Sequence, residues 1–332
     1  MNSRKSVCKL AGFLVAVEVI TSCVVARADS VKFSGYLQAE ILRETGEGSN
    51  KTEGRVRRAR IKMRVKPADI ASVTIQGDFT KKDVSVKDAY ADIYFTRGMK
   101  LRAGQFKVPF SSQLYDESSS VRLSPERAMI NRRLFPGERD RGFMLESTLV
   151  SSKVSSVLSL GVFSGAGPGV SDNNNDKDFA VSLLIPAAPV SLRLSAYKGR
   201  FTNPSTFLSG ARVQKVRYNI DAVYNKDRWN LQVQCGWGNG DQPQQDRATD
   251  TGVRGGYGQV AYKATPGVTL FTRYQYYDPD TAFDADDIDG GAFGLAYQPN
   301  SHVRYTAACE RLDDSSLVGS EDIITLRVMV RY

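Results

Sequence analysis

The sequence predicts an all-β protein: a transmembrane antiparallel β-barrel of 16 strands with short periplasmic turns and longer external loops. Three observations lead to this fold class. Apolar and polar residues alternate with a period of two from Val31 onward, as in strands with one face in lipid. The connections between the predicted strands alternate between short and long. The only long apolar run, 10–25, is interrupted by Glu18, which excludes a helical membrane protein.

Composition agrees with a folded chain. The 332 residues include 45 basic and 36 acidic side chains, 41% are hydrophobic, and the mean hydropathy is −0.32. This apolar content is too high and the charge too balanced for a disordered chain. Sixteen strands of about ten residues use roughly half of such a chain and leave the rest for turns and loops.

The first 28 residues predict a cleavable secretory signal peptide. Three basic residues precede the apolar run, and Ala26-Arg27-Ala28 supplies the small residues of a cleavage site. An alternative is a lipoprotein signal ending at Cys23, whose thiol would be acylated. With the signal removed, residues 29–332 form the barrel and carry 41 basic and 35 acidic residues, a net charge of +6. This organisation predicts the outer membrane of a Gram-negative-type bacterium.

The strands are assigned where the alternation is unbroken, and all twelve prolines then fall in turns, loops or strand ends. The shortest predicted connections are Pro67–Asp69, Arg97-Gly98, Lys226-Asp227, Thr265-Pro266 and Pro299-Asn300. The predicted strands lie near residues 31–43, 55–66, 70–81, 86–96, 99–108, 141–150, 153–164, 178–187, 190–200, 214–225, 228–237, 254–264, 267–277, 289–298, 301–311 and 321–332.

The segment Trp229–Trp237 shows the alternation most clearly. Its odd-numbered residues are apolar and end in a tryptophan on each side, while Asn230, Gln232 and Gln234 form the opposite face. Aromatic residues at both ends of an apolar face are typical of a lipid-facing strand. A secreted soluble β-protein is the alternative, but it would leave many such faces exposed to water.

The two cysteines of the predicted barrel test this register. Cys235 and Cys309 both fall on apolar faces, four strands apart. At about 4.8 Å per strand they are too far apart for a disulfide. We therefore expect two free thiols that face lipid.

The second predicted strand carries a regular row of positive charge. If its apolar residues face lipid, five successive inward positions are basic and lie roughly 7 Å apart. These positions are Arg58, Arg60, Lys62, Arg64 and Lys66. We interpret them as a ladder along an anion pathway. The alternative is that they contact lipopolysaccharide or pair with Asp78, Asp88 and Asp92.

The same register places further basic residues in the lumen, where basic positions outnumber acidic ones. A cationic channel with low-dielectric walls concentrates anions and repels cations, which predicts passage of small inorganic anions such as phosphate. The additional lumen positions are Arg102, Arg193, Arg217, Arg273, Arg304 and Arg327.

One connection, residues 109–140, is far longer than the others. Loops of this length are usually functional or disordered, and in a sixteen-stranded channel this one could fold into the lumen. Guanidinium groups and hydroxyls are suitable donors to phosphate oxygens. The acids of the same loop, from Asp116 to Asp140, could instead pair with some of the arginines. The candidate residues are Ser118, Ser119, Ser120, Arg122, Arg127, Arg132, Arg133 and Arg139.

The sequence lacks the residues and motifs that other classes of function would require. His302 is the only histidine, no G-x-S-x-G, H-E-x-x-H or P-loop is present, and we predict no catalytic residue, no metal and no cofactor. An outer-membrane barrel enzyme or adhesin is the alternative of another class, although an adhesin would need longer external loops. Basic residues that alternate with lipid-type residues form no surface patch, so no nucleic-acid partner is expected. The acidic run 278–289 is interpreted as a solvated loop or a divalent-ion bridge to lipopolysaccharide, with a calcium site as the alternative.

Several motifs between residues 55 and 145 resemble the phosphate-selective porin O/P family. The resemblance rests on short segments between the second and the sixth predicted strand and in the long loop. They are Arg57-Arg58-Ala59-Arg60, Asp88-Ala89-Tyr90, Gly104–Phe110, Ser124-Pro125-Glu126-Arg127 and Arg139-Asp140-Arg141-Gly142.

The resemblance implies a homotrimeric barrel whose third external loop lies in the pore and whose arginines lead anions to a binding zone. It also implies that the C-terminal strand, Ile324–Tyr332, is read by the barrel-assembly machinery. Asp116 and Glu117 stand near the place where a phosphate-specific member would carry a cation. A weakly selective general porin for small hydrophilic solutes therefore stays open as the alternative.

Overall fold

The first and last strands pair with each other, which closes sixteen antiparallel strands into a barrel and confirms the predicted fold class. Closure leaves no strand edge with unpaired backbone groups, as a lipid environment requires. This computed structural model describes residues 30–46, 49–135, 137–151, 154–172, 175–202, 212–239, 252–282, 286–315 and 319–332. The predicted signal peptide, residues 1–28 with Cys23, lies outside the described residues.

All sixteen predicted strands are present, with bounds that differ by a few residues. They are β1 (Ser30–Gly46), β2 (Ser49–Ala68), β3 (Ala71–Asp78), β4 (Ser85–Thr96), β5 (Met99–Lys107), β6 (Arg139–Val150), β7 (Ser155–Phe163), β8 (Asp178–Ala187), β9 (Val190–Thr202), β10 (Arg212–Lys226), β11 (Trp229–Asn239), β12 (Gly252–Lys263), β13 (Val268–Asp278), β14 (Ile288–Tyr297), β15 (Val303–Asp314) and β16 (Ser320–Arg331).

The alternation along each strand separates an outer from an inner face. In β11, Trp229, Val233 and Trp237 are exposed on the outside, whereas Gln234 is 1% exposed inside the barrel. Cys235 is exposed on the same outer face, and Cys309 is partly exposed on β15. Both cysteines are free, as predicted.

The connections give the barrel two different ends. At the inner end, which holds the start of β1 and the end of β16, successive strands are joined by turns such as Asp69-Ile70 and Arg97-Gly98. The outer end carries most of the longer connections. The predicted loop 44–54 is mostly strand, because β1 and β2 stay paired up to Gly46 and Ser49. The predicted strands end at residue 43 and begin again at residue 55, whereas the ladder continues beyond both, because backbone pairing does not depend on side-chain polarity once a hairpin extends into water.

The longest connection, which we call the pore loop (residues 108–138), folds into the barrel. It contains two short helices, α1 (Ser112–Tyr115) and α2 (Met129–Leu134). Strand β6 begins at Arg139, so Arg139 and Asp140 belong to the barrel wall and the predicted loop boundary at residue 140 is too long. The backbone ladder pairs Lys107 with Arg139, and this pairing extends the sheet past the predicted boundary.

Apolar residues of the pore loop give the outer half of the lumen a hydrophobic core. Phe110, Leu114 and Ile130 are each about 1% exposed or less and pack in one cluster with residues of the wall. The wall side of this cluster includes Phe106, Phe163, Tyr257 and Tyr277. Burial of these side chains fixes the loop inside the barrel, since each fully buried large apolar side chain contributes about 1.5–3 kcal/mol.

Candidate ion pathway in the barrel lumen

The basic ladder of β2 begins with a bulge, which strict alternation does not predict. The register between β1 and β2 shifts between Gln38 and Ala39, so two consecutive arginines face inward. Arg57 donates to Glu126 of the pore loop at 2.8 Å, and Arg58 donates to Gln38 at 2.9 Å. Arg57 was absent from the predicted ladder because strict alternation assigns it to the lipid face.

The remaining ladder residues differ in how they are paired. Arg60 donates to Asp78 at 2.8 Å and to the Ser119 hydroxyl at 3.3 Å. Arg64 donates to the Tyr94 hydroxyl at 2.8 Å, and Lys66 pairs with Asp69 in the exposed turn at the inner end. Lys62 lines the lumen and forms no ion pair with any residue that the structure describes. The ladder is therefore one row of inward side chains that differ in whether a carboxylate neutralises their charge.

Most of the other predicted lumen arginines hold the pore loop. Arg304 donates to the carbonyl oxygens of Val121 and Arg122, at 3.0 and 2.8 Å. Arg327 donates to the Pro125 carbonyl at 2.7 Å, and Arg273 donates to the Glu126 carbonyl at 3.0 Å. Arg217 donates to the carbonyl of Leu134, and Arg193 pairs with Asp116 at 2.8 Å. These five side chains are buried beneath the loop, so they anchor it to the wall.

Polar side chains of the wall complete this attachment. The Asn131 amide bonds to Gln234 at 2.8 Å, and the Met129 backbone N–H donates to Gln275 at 3.0 Å. Near α1, the Ser112 backbone N–H donates to Asp221 at 3.1 Å. Helix α1 is capped by Ser111, whose hydroxyl accepts from the Leu114 N–H at 3.2 Å. Both short helices are thus held by the wall strands β10, β11 and β13.

The predicted pore-loop candidates separate into two groups. Ser118, Ser119, Ser120 and Arg127 line open space in the lumen. Arg122 is buried and donates to carbonyl oxygens of its own loop, Ser124 and Pro125, both at 3.2 Å. Arg132 pairs with Glu310 at 3.3 Å, and Arg133 forms no ion pair within the described part of the chain. The loop contributes hydroxyls and one arginine to the open space.

That open space is a cavity of about 610 Å³ between the pore loop and the wall formed by β1–β6 and the end of β16. Eight basic and three acidic side chains line it, together with the rings of Tyr36, Tyr90 and Tyr115. The acidic ones are Asp88, Asp116 and Glu146, and the basic ones are Arg60, Lys62, Lys100, Arg102, Lys107, Arg127, Arg139 and Arg331.

Aromatic rings and carboxylates orient the cations of this cavity. Arg102 bonds Asp92 through two nitrogens, at 2.7 and 3.0 Å, and its guanidinium lies 4.0 Å from the centre of the Tyr90 ring. Lys100 pairs with Glu146 at 2.6 Å, and Arg139 pairs with Asp88 at 2.8 Å. These contacts hold the cationic groups in fixed positions, where a solute in the cavity would interact with them.

Acids of the pore loop are neutralised to different degrees. Burial opposes the ionisation of Glu126, but the charges of Arg58 and Arg57 outweigh it and hold the pKa of that carboxyl well below its usual range. Burial raises the pKa of Glu117, and the positive charges of Arg122 and Arg127 only partly offset it. Glu126 is therefore a fixed anchor, whereas Glu117 takes up a proton more readily.

The described residues show no arrangement for metal chemistry, since no three or more of their His, Cys, Asp and Glu side chains are placed to hold an ion. No helix in this part of the chain is long and apolar enough to cross a membrane.

A closed sixteen-stranded barrel with a loop folded into a polar lumen defines a porin, a β-barrel channel of the outer membrane. The chain belongs to the family described as phosphate-selective porin O and P, whose sequence model matches residues 34–206 and 189–330. The resemblance seen in the sequence is thereby confirmed. A search of the curated proteins by sequence found no match.

Solved structures with the same fold include three outer-membrane proteins of low sequence identity. The anion-selective porin from Comamonas acidovorans has a TM-score of 0.72 at 12% identity, covering 91% of this chain and 99% of that chain. The outer membrane channel DcaP of Acinetobacter baumannii has a TM-score of 0.68 at 11% identity, with coverage of 91% and 97%. The trimer form of OmpT from Vibrio cholerae has a TM-score of 0.65 at 13% identity, with coverage of 91% and 99%.

Proposed function

We propose that the protein is a passive channel through which small anions, phosphate or related oxyanions, cross the outer membrane. The observation that carries this proposal is the charge of the cavity beneath the pore loop, where eight basic side chains face three acidic ones. A narrow polar passage with such an excess attracts anions and repels cations of equal size. The ladder residues Arg60 and Lys62 belong to this lining, which supports their role in the pathway.

Hydroxyl groups support an oxyanion as the solute. Ser118, Ser119 and Ser120 line the cavity beside Arg60 and Arg127. Phosphate and carboxylate oxygens accept hydrogen bonds from both guanidinium groups and hydroxyls, whereas chloride gains less from directed donors. We therefore expect an oxyanion to accept hydrogen bonds from these hydroxyls as it passes this part of the cavity.

A weakly selective porin for small hydrophilic solutes is the second candidate. It is favoured by the number of lining cations that already have a carboxylate partner, such as Lys100 with Glu146 and Arg139 with Asp88. Paired cations contribute less to the potential in the passage than free ones.

Planar-bilayer recordings of the purified protein separate the two candidates. The reversal potential in a chloride gradient gives the ratio of anion to cation permeability, and phosphate is then titrated against the chloride current. Anion preference with saturable block by phosphate supports the proposal. A cation-preferring or zero reversal potential would contradict it and favour the general porin.

The assembly and targeting of the chain complete the proposal. We infer a homotrimer, because an outer membrane protein of similar fold, OmpT from Vibrio cholerae, is known in a trimer form. We further infer that residues 1–28 direct export, that the barrel-assembly machinery reads the aromatic C-terminal strand ending in Tyr332, and that the outer surface contacts lipid and lipopolysaccharide. Cross-linking of the folded protein and mass spectrometry of its N-terminus test the first two of these inferences.

A further inference from the structure

The two ends of the pore loop meet where β5 ends and β6 begins. We call this place the neck of the loop. Lys107 and Arg139 are opposite each other in the ladder, and the Val108 backbone N–H donates to the Glu138 carbonyl at 3.0 Å. The Glu138 backbone N–H in turn donates to the Phe135 carbonyl at 3.1 Å. Glu138 is therefore held by backbone bonds on both sides, at the outer end of the cavity.

Glu138 has a backbone conformation that side-chain-bearing residues rarely adopt. Its φ is 51°, in the left-handed region, which is unfavourable for a residue other than glycine. In an extended strand, neighbouring residues 138 and 139 would point to opposite faces. Here the Glu138 carboxylate contacts the guanidinium of Arg139. The unusual backbone angle thus turns this carboxylate toward the inward-facing cation beside it.

Three cations surround that carboxylate. Arg127 and Arg139 form ion pairs with it, and Lys107 is close enough to stabilise its charge. Burial opposes the ionisation of Glu138, but Arg139, Arg127 and Lys107 outweigh it and hold the pKa of this carboxyl far below its usual range. The group is a permanent anion in the centre of a cationic cluster.

The same three cations face the cavity on their other side. Lys107, Arg127 and Arg139 all line it, whereas Glu138 does not. Arg139 also contacts Asp88, at 2.8 and 3.4 Å, and Lys107 donates to the carbonyl oxygens of Tyr115 and Glu117, at 3.3 and 3.2 Å. An anion in the cavity would therefore contact cations that also interact with the Glu138 carboxylate on the side away from the cavity.

We propose that Lys107, Arg127 and Arg139 form an anion-binding site at the outer end of the cavity, and that the Glu138 carboxylate is a built-in competitor for that site. The inference rests on the proposed anion channel and specifies where its strongest site lies and what limits its affinity. A solute with a carboxylate or phosphate-type group takes over the contacts that Arg127 and Arg139 now make with Glu138. Competition of this kind keeps binding weak enough for the solute to leave, as conduction requires.

The test removes the competitor and measures block by inorganic phosphate. Glu138→Gln keeps the side-chain volume, and Glu138→Gly suits the left-handed backbone, so that at least one variant is expected to assemble. In both, we expect the concentration of phosphate that halves the chloride current to fall about ten-fold, since close buried charge pairs couple by more than 1 kcal/mol. Adding Arg127→Gln to Glu138→Gln should cancel the gain.

Glu146→Gln is the matched control. It removes the same charge from a carboxylate that lines the cavity and pairs with Lys100, away from the neck of the loop. Under the proposal it changes the half-blocking concentration by less than about three-fold. Equal shifts for Glu138 and Glu146, or no shift for either Glu138 variant, would overturn the inference. A wild-type channel that prefers cations would instead contradict the proposed function itself, so the two failures can be told apart.

Discussion

Arg60 and Lys62 lie two residues apart on the inner face of β2, yet only Arg60 has an acidic partner. Its Nε is 2.8 Å from Asp78, whereas Lys62 forms no ion pair with the described residues. An unpaired ammonium that lines a narrow cavity contributes its full charge to the local potential. Lys62 is therefore the ladder residue on which ion selectivity should depend most.

We predict that Lys62→Glu lowers the ratio of anion to cation permeability roughly three- to ten-fold, because it changes the local charge by two units. Reversal potentials in a chloride gradient measure the change. Lys66→Glu is the control, since Lys66 has the same inward parity on β2 but is paired with Asp69 at the exposed inner end. Equal effects of the two substitutions would contradict a ladder with one dominant cation.

A second prediction concerns the attachment of the pore loop. Arg304→Ala removes two hydrogen bonds to the carbonyl oxygens of Val121 and Arg122, each worth about 1.5–3 kcal/mol because the donor is charged. We expect a larger and noisier single-channel conductance while the barrel stays folded, which the strand content in circular dichroism would confirm. Arg311→Ala on the exposed face of the same strand should leave the conductance unchanged. If the Arg304 variant has the same conductance and the same current noise as the wild type, this arginine does not hold the loop.

The barrel could be predicted from the sequence because each strand repeats the same two-residue pattern. Alternation places Trp229 outside and Gln234 inside without knowledge of the neighbouring strands. The bulge at Arg57 breaks that pattern by one residue, and its local mark is that two arginines, Arg57 and Arg58, stand between the apolar residues Val56 and Ala59. The predicted loop 44–54 was wrong for a related reason, since side-chain alternation does not reveal where a hairpin stops pairing.

The site was predictable only in part. The cationic lumen follows from residue parity, but which cations face open space depends on the path of the pore loop. Arg304 and Arg327 point inward as expected, yet they donate to loop carbonyls, and this contact joins residues about 200 positions apart in the chain. Periodicity carries no information about such pairs. The role of Glu138 depends on a backbone angle that the sequence Gly137-Glu138 does not specify.

The cysteines provide a test of the whole register. Cys235 and Cys309 are free and lie on the outer face of β11 and β15. We predict that a membrane-impermeant maleimide labels neither in intact outer membranes and labels both after denaturation in detergent. Ser315→Cys in a cysteine-free background, on an outer connection, should be labelled in both states. Labelling of Cys235 or Cys309 in intact membranes, or an oxidant-induced disulfide between them, would contradict the register.

The pore loop predicts how selectivity changes with pH. Glu126 does not titrate near neutrality, because Arg58 and Arg57 keep its pKa well below the usual value and its anchoring is lost only as the pH falls through that depressed pKa. Burial raises the pKa of Glu117, so this group takes up a proton at a higher pH than Glu126 does. Protonation removes a negative charge close to Lys107 and Arg127. We therefore expect the anion preference to rise by up to about three-fold between about pH 7 and pH 5.

Reversal potentials of the wild type and of Glu117→Gln at the two pH values decide whether Glu117 is the titrating group. At both pH values the variant should show the anion preference that the wild type reaches only at the lower pH. The reason is that the Gln side chain carries no charge at either pH. Glu126→Gln, which removes the anchor, should leave the pH dependence in place and increase current noise at both pH values. A pH dependence that persists in the Glu117 variant would assign the titration to another group in the lumen.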